Sequence, residues 1–387
     1  MVKPSILIIA GEASADLHGT LIVRSLQTQR PELQLFGIGG QGMCDLGFEA
    51  VISARKMAVA GLTEVLSALP RILWYGQKLL REIRRRKPVV ALLMDHPDFN
   101  LRLAKHLKKL NIPVVYFISP QVWAWRESRV KKIRLLVKRM LVVLPFEVDF
   151  YRKHGIDVEF VGHPLAEALK NAHIHYTKAS MRQKLQIPEH LTPVVAWLPG
   201  SRTKEITRHL PIMLKAIAEL KTIYPDAVAL LPVASTISKN VIEKKIPHQT
   251  SHILLFEHLA NEVIGAADVA VVCSGTATLQ TALLLRPMVV VYRVSWLTYF
   301  ILKKLVRVAY IALINLIANK MLVPELVQKE FTVANVVAAI KSILNNGDAQ
   351  KLFEKNLVEL RQQLLNSDVP SADIVAARVL EFVPRSI

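Results

Sequence analysis

Two carboxylates and an imidazole crowd one short stretch of this chain, Asp95-His96-Pro97-Asp98-Phe99-Asn100, directly after the apolar run Val89–Met94. A group that takes a proton from a hydroxyl must be a carboxylate or an imidazole held beside it. Asp98 is the candidate base, with Asp95 and Asn100 as candidate substrate ligands. An unperturbed aspartate has a pKa of about 3.9 and is a weak base, so Asp98 needs desolvation or a late proton transfer. The same residues also suit a helix start, with Pro97 in the first turn and Asp98 or Asn100 as a cap.

Further on, Leu198-Pro199-Gly200-Ser201-Arg202 has the chemistry of a phosphate seat. A glycine turn into a helix offers amides and a helix dipole to an anion, and Arg202 and Ser201 add hydrogen bonds. No Gly-Lys-Ser/Thr follows, so this is not a Walker loop. Ser274-Gly275-Thr276-Ala277-Thr278-Leu279-Gln280 repeats that chemistry with the amides near Gly275 and Thr276, and two such seats suit a nucleotide diphosphate. Near the start, Gly11-Glu12-Ala13-Ser14-Ala15-Asp16 puts a carboxylate, Glu12, at a strand tip, and Ser14 or Asp16 can cap the next helix. Ser119-Pro120-Gln121-Val122-Trp123-Ala124-Trp125-Arg126 brings Trp123 to another strand exit, as core or as the wall of an acceptor site.

These motifs need elements to hold them. Short apolar runs alternate with helical patterns: Ile6–Ala10, Val89–Met94, Val114–Ile118, Leu141–Leu144 and Val158–Val161, then Val194–Leu198, Val228–Pro232, Ile253–Phe256, Val269–Cys273 and Met288–Tyr292. Continuous apolar strands between helices predict α/β domains with parallel sheets covered on both faces. A polar segment, Lys170 to Thr192, separates the two series. The expected domains are 1–175 and 176–334, with helices from about 335 to 387 packing back onto the first. Ligands bind such sheets at the carboxyl ends of the strands, where the motifs fall. Gly37, Gly39 and Gly42 match a dinucleotide fingerprint, but they follow the second strand and no acid ends the next one, so no dinucleotide site is expected.

The chain has 387 residues, 52% of them hydrophobic, and a net charge of +19. The excess favours an anionic partner. The positive residues are interleaved with apolar ones, and neither zinc-finger spacing nor an RNA-binding aromatic signature occurs, so nucleic acid is not expected. Cys44 and Cys273 support neither a disulfide framework nor a thiolate metal site. Glu12 and Asp16 interrupt the first apolar run, which reads as a strand rather than a signal peptide. Leu62, Val65, Leu66, Leu69, Ile72 and Leu73 form a helical apolar stripe, followed by Trp74 and Tyr75 and then Arg81, Arg84, Arg85, Arg86 and Lys87. That pattern fits a helix lying in an anionic membrane surface and equally a core-facing helix with a solvated tail. Trp296, Tyr299, Phe300, Leu302, Lys303, Lys304 and Arg307 form a second such segment. Membrane contact is expected to be peripheral.

Taken together, GEASAD, DHPDFN, SPQVWAWR, LPFE at Leu144–Glu147, VGHPL at Val161–Leu165, LPGSR, SGTATL and VPELVQ at Val323–Gln328 resemble the lipid-A-disaccharide synthase family, in family order from near residue 5 to about residue 330. The resemblance implies the GT-B architecture, two Rossmann-like domains facing a central cleft, with acceptor on the first and UDP on the second. It implies inverting transfer of 2,3-diacylglucosamine from its UDP form to 2,3-diacylglucosamine 1-phosphate, giving a β-1,6 disaccharide and UDP. The setting would be the cytoplasmic face of the inner membrane of a Gram-negative bacterium. Asp98 would be the base on the acceptor 6-hydroxyl, and Arg202, Ser201 and the amides near Gly275 and Thr276 would stabilise the leaving diphosphate. Glu12 and Ser14 would bind the acceptor or orient groups at the reaction centre, Asn315 resembles a polar position near the cleft, and Gln280 stands where an acid usually binds the ribose. The family usually has Gly, Ala and Pro where this chain has Ala15, His96 and Ile314. Fixed donors can stabilise the leaving group without a metal, and neither a metal nor another cofactor is expected. A homodimer is compatible with the sequence. The competing readings are another GT-B enzyme, such as a sugar-nucleotide epimerase or a different lipid glycosyltransferase, or a non-catalytic lipid-binding protein on this scaffold.

Overall fold

The computed structural model describes residues 3–11, 13–57, 62–125, 127–170, 175–246, 250, 252–305, 308–366 and 368–384, and for several helical residues the backbone alone. It divides into two compact units, Met1–Glu167 with Leu364–Ile387, and Ala168–Gln363.

The first unit is built on seven strands, β1 (Ser5–Ala10), β2 (Gln34–Gly39), β3 (Glu49–Ser53), β4 (Val90–Met94), β5 (Val114–Phe117), β6 (Arg139–Val142) and β7 (Val158–Phe160). They form one parallel sheet in the order β3-β2-β1-β4-β5-β6-β7. The order follows from composition. β1, β4 and β5 are buried along their whole length, and only a strand covered on both faces gains from a continuous apolar run. β3 and β7, at the edges, are mostly half-buried. The glycines of the rejected fingerprint lie in and beside β2. Gly37 has φ +144, and a Cβ there would sit 2.1 Å from the Ile8 carbonyl oxygen, so these glycines serve strand packing. The chain runs outward from β1 to β2 and β3, then returns to place β4 on the other side of β1. That reversal makes the β1/β4 exit the switch point where an open sheet leaves a crevice.

The second unit repeats the plan with β8 (Val194–Leu198), β9 (Val228–Val233), β10 (Ile253–Glu257), β11 (Val269–Cys273), β12 (Met288–Tyr292) and β13 (Glu325–Val327). Its sheet is parallel, ordered β10-β9-β8-β11-β12-β13, and its switch point is the β8/β11 exit. Trp197 of β8 is fully buried, within a core that includes Leu210 and Met213 of the helix Thr203–Ile223 and Val336 and Ile340 of the helix Val333–Leu344. That core decides where the C-terminal helices go. The apolar stripe of Val333–Leu344 is used up in the second unit, so the return to the first unit begins at Leu364 rather than near 335. There the helix Ser371–Leu380 packs on the helix Ala13–Gln29. The Arg378 guanidinium donates to both carboxylate oxygens of Glu159 (2.6 and 2.8 Å). Glu167 accepts from the Ser371 amide (2.8 Å) and hydroxyl (2.9 Å).

Candidate active site

At the first switch point, the residues after β1 and β4 become neighbours because Ala10 pairs with Met94. A Cβ on Gly11 would lie 3.6 Å from the His96 ring, in ordinary contact. Asp95 (φ 47) and His96 (φ 43) are both left-handed, a conformation that costs non-glycine residues free energy and persists only where surrounding bonds hold it. Those bonds come from below. Asn100 is fully buried, and its Nδ2 donates to the Met94 (3.0 Å) and Asp95 (2.6 Å) carbonyls. The Tyr116 hydroxyl also donates to the Asp95 carbonyl. Asn100 therefore holds the turn, and among the described residues its Oδ1 has no hydrogen-bond partner.

Asp98 lies in the first turn of the helix Pro97–Lys109. It is 66% exposed and accepts from Arg129 Nη2 at 2.5 Å. The first unit therefore supplies Asp98 with a cation but with no apolar shelter. Glu12 lies outside the described residues, as does the side chain of Ser14. Asp16, from the same motif, accepts from the Gly40 amide at 2.7 Å, tying the exit of β1 to that of β2.

Two further imidazoles stand near these exits. Burial lowers the pKa of His18, against the opposing pull of Asp95. Burial, with His18 as a minor second cause, holds His163 down to about 4. Its Nδ1 accepts from the Leu165 amide at 3.1 Å, as a neutral ring can. Beyond them, after β5 and β6, lies a buried carboxylate. Glu147 is 2% exposed. Its Oε1 accepts from Ser119 Oγ (2.5 Å) and Trp123 Nε1 (3.0 Å), and its Oε2 from the Leu144 amide (3.2 Å). Desolvation pushes its pKa up to about 7 despite those donors. The half-buried Trp123 also meets the Phe146 ring edge-on, 4.9 Å between centroids.

In the second unit, Val272 pairs with Leu198, so the Pro199–Arg202 and Ser274–Thr276 turns flank one exit. They differ in what their amides face. Glu205 Oε2 accepts from the amides of Ser201 (3.0 Å) and Arg202 (3.2 Å), so those amides are not free for an anion. Gly200 (φ +123) is required there, because a Cβ would sit 2.6 Å from that same oxygen. Arg202 itself is 81% exposed, its Nη1 3.6 Å from Glu205 Oε1. Gly275 and Thr276 are exposed. Their amides have no hydrogen-bond partner among the described residues, and open space surrounds the Gly275 Cα. Among the described residues, the amides of the Gly275 turn are the open ones, and the exposed Arg202 guanidinium, paired only loosely with Glu205, lies at the same exit. His209 braces the exit from beneath. Its Nε2 accepts from the Arg293 amide (2.9 Å), which leaves the proton on Nδ1 to bond the Pro199 carbonyl (2.8 Å); burial favours this neutral form by lowering its pKa.

Gln280 is half-buried and donates from Nε2 to Asn261 Oδ1 at 2.5 Å. Asn315 is fully buried. Its Nδ2 donates to the Val323 carbonyl (2.9 Å) and to Glu325 Oε1 (2.8 Å), and its Oδ1 accepts from the Leu322 (2.8 Å) and Val323 (3.0 Å) amides. With these bonds made, Asn315 is a stitch in the fold. It joins Glu325, which caps the amides of Ile311 (2.9 Å) and Ala312 (3.0 Å), to the Ile311 carbonyl that accepts from Ser274 Oγ (2.9 Å).

The sequence matches the family described as Lipid-A-disaccharide synthetase over residues 6–379. It is 44% identical to the lipid-A-disaccharide synthase of Anaeromyxobacter dehalogenans (strain 2CP-C) over 366 residues, 94% of each chain. The chain belongs to the lipid-A-disaccharide synthase family. That makes it an enzyme, a glycosyltransferase of lipid A biosynthesis. Among solved structures, it superposes on a UDP-GlcNAc 2-epimerase from Neisseria meningitidis bound to UDP-GlcNAc, with TM-score 0.61, 12% identity and coverage of 97% of this chain and all of that one. It also superposes on the glycotransferase of kitacinnamycin with TM-score 0.62, 14% identity and coverage of 99% of this chain and all of that one. At such low identity these likenesses concern the fold, the paired parallel-sheet α/β plan of the GT-B class.

Four groups that shape the exits were missed as site residues: Glu147, His163, Glu205 and His209. Glu147 lies in the LPFE motif and His163 in the VGHPL motif. The signal for Glu205 was an acid three residues after a helix start, the capping-box spacing. His209 lay mid-helix with no signal of its own.

Proposed function

We propose that this member of the family transfers 2,3-diacylglucosamine from its UDP form to 2,3-diacylglucosamine 1-phosphate with inversion, releasing UDP and the β-1,6 lipid A disaccharide 1-phosphate. The observation that carries the reading is the placement of family motifs at both switch points, acid-bearing turns at the β1/β4 exit and anion-binding donors at the β8/β11 exit. On this reading the first unit binds the acceptor and the second the UDP-sugar.

In the reaction, Asp98 takes the proton of the acceptor 6-hydroxyl as its oxygen attacks the anomeric carbon from the side opposite UDP. Arg129, paired with Asp98, orients the carboxylate. Arg202 and the Gly275 and Thr276 amides receive the charge that builds on the diphosphate. Ser201 contributes its hydroxyl, since its amide is engaged by Glu205. Gln280 reaches the ribose hydroxyls as a neutral donor and acceptor. Glu12 and Ser14 bind the acceptor or orient groups at the reaction centre, and Asp95 and Trp123 bind the acceptor. Asn100 and Asn315 act through the backbone they hold.

We place the enzyme on the cytoplasmic face of the inner membrane as a peripheral protein. Among the described residues no helix is long and apolar enough to cross a membrane. The side chains of Leu62 to Leu73 lie outside the described residues, while Trp74 is 58% exposed. Of the basic end of that helix, Arg85 and Arg86 pair with Glu82, and Arg86 also with Glu49. Trp296 (78% exposed) and Phe300 (50%) stack with centroids 5.9 Å apart, a second apolar face beside the exposed Lys303. A homodimer is compatible with the reading.

Incubating purified protein with the two lipid substrates and measuring UDP tests the chemistry. Wild type is expected to make the disaccharide, and Asp98→Ala and Arg202→Ala to lose most of it. Near-normal turnover of Asp98→Ala would remove the base assignment. Replacing Leu66, Leu69 and Leu73 with Ser tests the membrane contact: a folded variant that sediments with vesicles as well as wild type refutes it.

A further inference from the structure

The carboxylate of Glu147 has no part in the chemistry above, yet it sits in an apolar interior where a charge is costly unless its oxygens are bonded. Three donors converge on it, and they come from two strand exits: Ser119 and Trp123 from the segment after β5, and the Leu144 amide from the segment after β6. Tyr151, one turn further along the same helix Phe146–Lys153, donates to the Pro120 carbonyl at 3.1 Å. One helix face therefore grips Ser119, Pro120 and Trp123 in succession. Phe146 closes on the Trp123 ring from the side, so a hydrogen bond and an edge-to-face contact together fix where the indole lies and how it is turned.

A purely structural demand would not choose a carboxylate here. Well-packed apolar groups in place of a buried charge are often neutral or stabilising. What a carboxylate adds is direction, because it holds the hydroxyl and the indole N–H at once on one oxygen. The indole it directs stays half-buried rather than fully enclosed, at the sheet end where this kind of fold binds ligands. We infer that Glu147 is a positioning residue for acceptor binding, setting the shape of the Ser119–Trp123 turn and the orientation of the Trp123 ring that meets the acceptor sugar. The inference rests on the acceptor-side reading of the first unit.

The test is steady-state kinetics with both lipid substrates for wild type, Glu147→Gln, Trp123→Phe and the double variant. Each single substitution is expected to raise the acceptor KM about tenfold, as for loss of one charge-assisted hydrogen bond. The donor KM and kcat should stay within about twofold. The double variant should be no worse than either single one, because both remove the same contact. An unchanged acceptor KM, an equal rise in both KM values, or single effects that multiply in the double variant each overturn the inference. A second readout is the set of 15N-labelled indole signals, five tryptophans in all, with that of Trp123 assigned by its loss in Trp123→Phe. In Glu147→Gln a shift confined to Trp123 supports the inference, and an unmoved Trp123 signal refutes it. If Glu147→Gln does not fold, Trp123→Phe alone decides: an unchanged acceptor KM in that variant is fatal. Absence of UDP release by wild type would sink the transfer reading by itself, whereas the indole signals report the Glu147–Trp123 contact in either case.

Discussion

Consider the stability of the protein as pH rises past neutrality, with and without the buried acid at 147. Glu147 in the fold titrates at about 7 against an ordinary 4.5, because desolvation outweighs its donors. A carboxyl whose folded pKa is raised contributes stability that is fully present below its unfolded pKa and is lost as pH climbs through the folded one. With 1.36 kcal/mol per pKa unit, the loss attributable to this one group between pH 5 and pH 8 is about 2.5 kcal/mol, most of it spent by pH 7. Glu147→Gln keeps the shape of the neutral acid and cannot ionise. Chemical denaturation of wild type and Glu147→Gln at both pH values isolates the effect, since other titrating groups are shared and cancel in the difference. The variant is expected to gain about 2.5 kcal/mol on the wild type in going from pH 5 to pH 8, whatever its offset at pH 5. A difference that stays constant across that range would show that Glu147 titrates alike in the folded and unfolded chain, and the account of its buried charge would fail.

Two other substitutions address the second unit. Gly200→Ala puts a Cβ 2.6 Å from Glu205 Oε2 at φ +123. It should cost roughly 2 kcal/mol or more and lower the melting temperature, and a variant that melts with the wild type would refute the strained turn. Asn315→Leu strands the Val323 amide and carbonyl in the interior, while the Leu322 amide keeps the Lys320 carbonyl as acceptor at 3.0 Å. At roughly 1–3 kcal/mol for each buried group left unpaired, it should destabilise the unit severely, and a soluble variant of wild-type stability would show that these groups find other partners.

The strand plan was legible in the sequence because a buried parallel strand must be apolar along its whole length. The chemistry-bearing turns were legible because they follow such runs directly. Pattern alone could not say that Asn100 and Asn315 are interior braces. Their type suited ligand binding and bracing equally, and the difference lies in which carbonyls and amides surround them. Nor could it say that Glu205 occupies the Ser201 and Arg202 amides and leaves the Gly275 turn as the open donor. Glu147 was invisible as a site residue for the same reason, since two of its partners stand 24 and 28 positions away in the chain.

By itself, then, the order of residues determined the α/β class, the family and the turns that carry its chemistry, for these depend on local composition and on motifs read in succession. Only the folded chain decided which turns share an exit and which polar groups remain open. Strand order and side-chain reach bring together residues that are distant in the chain, and hydrogen bonds settle by geometry, not by type, whether a donor is spent on the fold or left for a ligand.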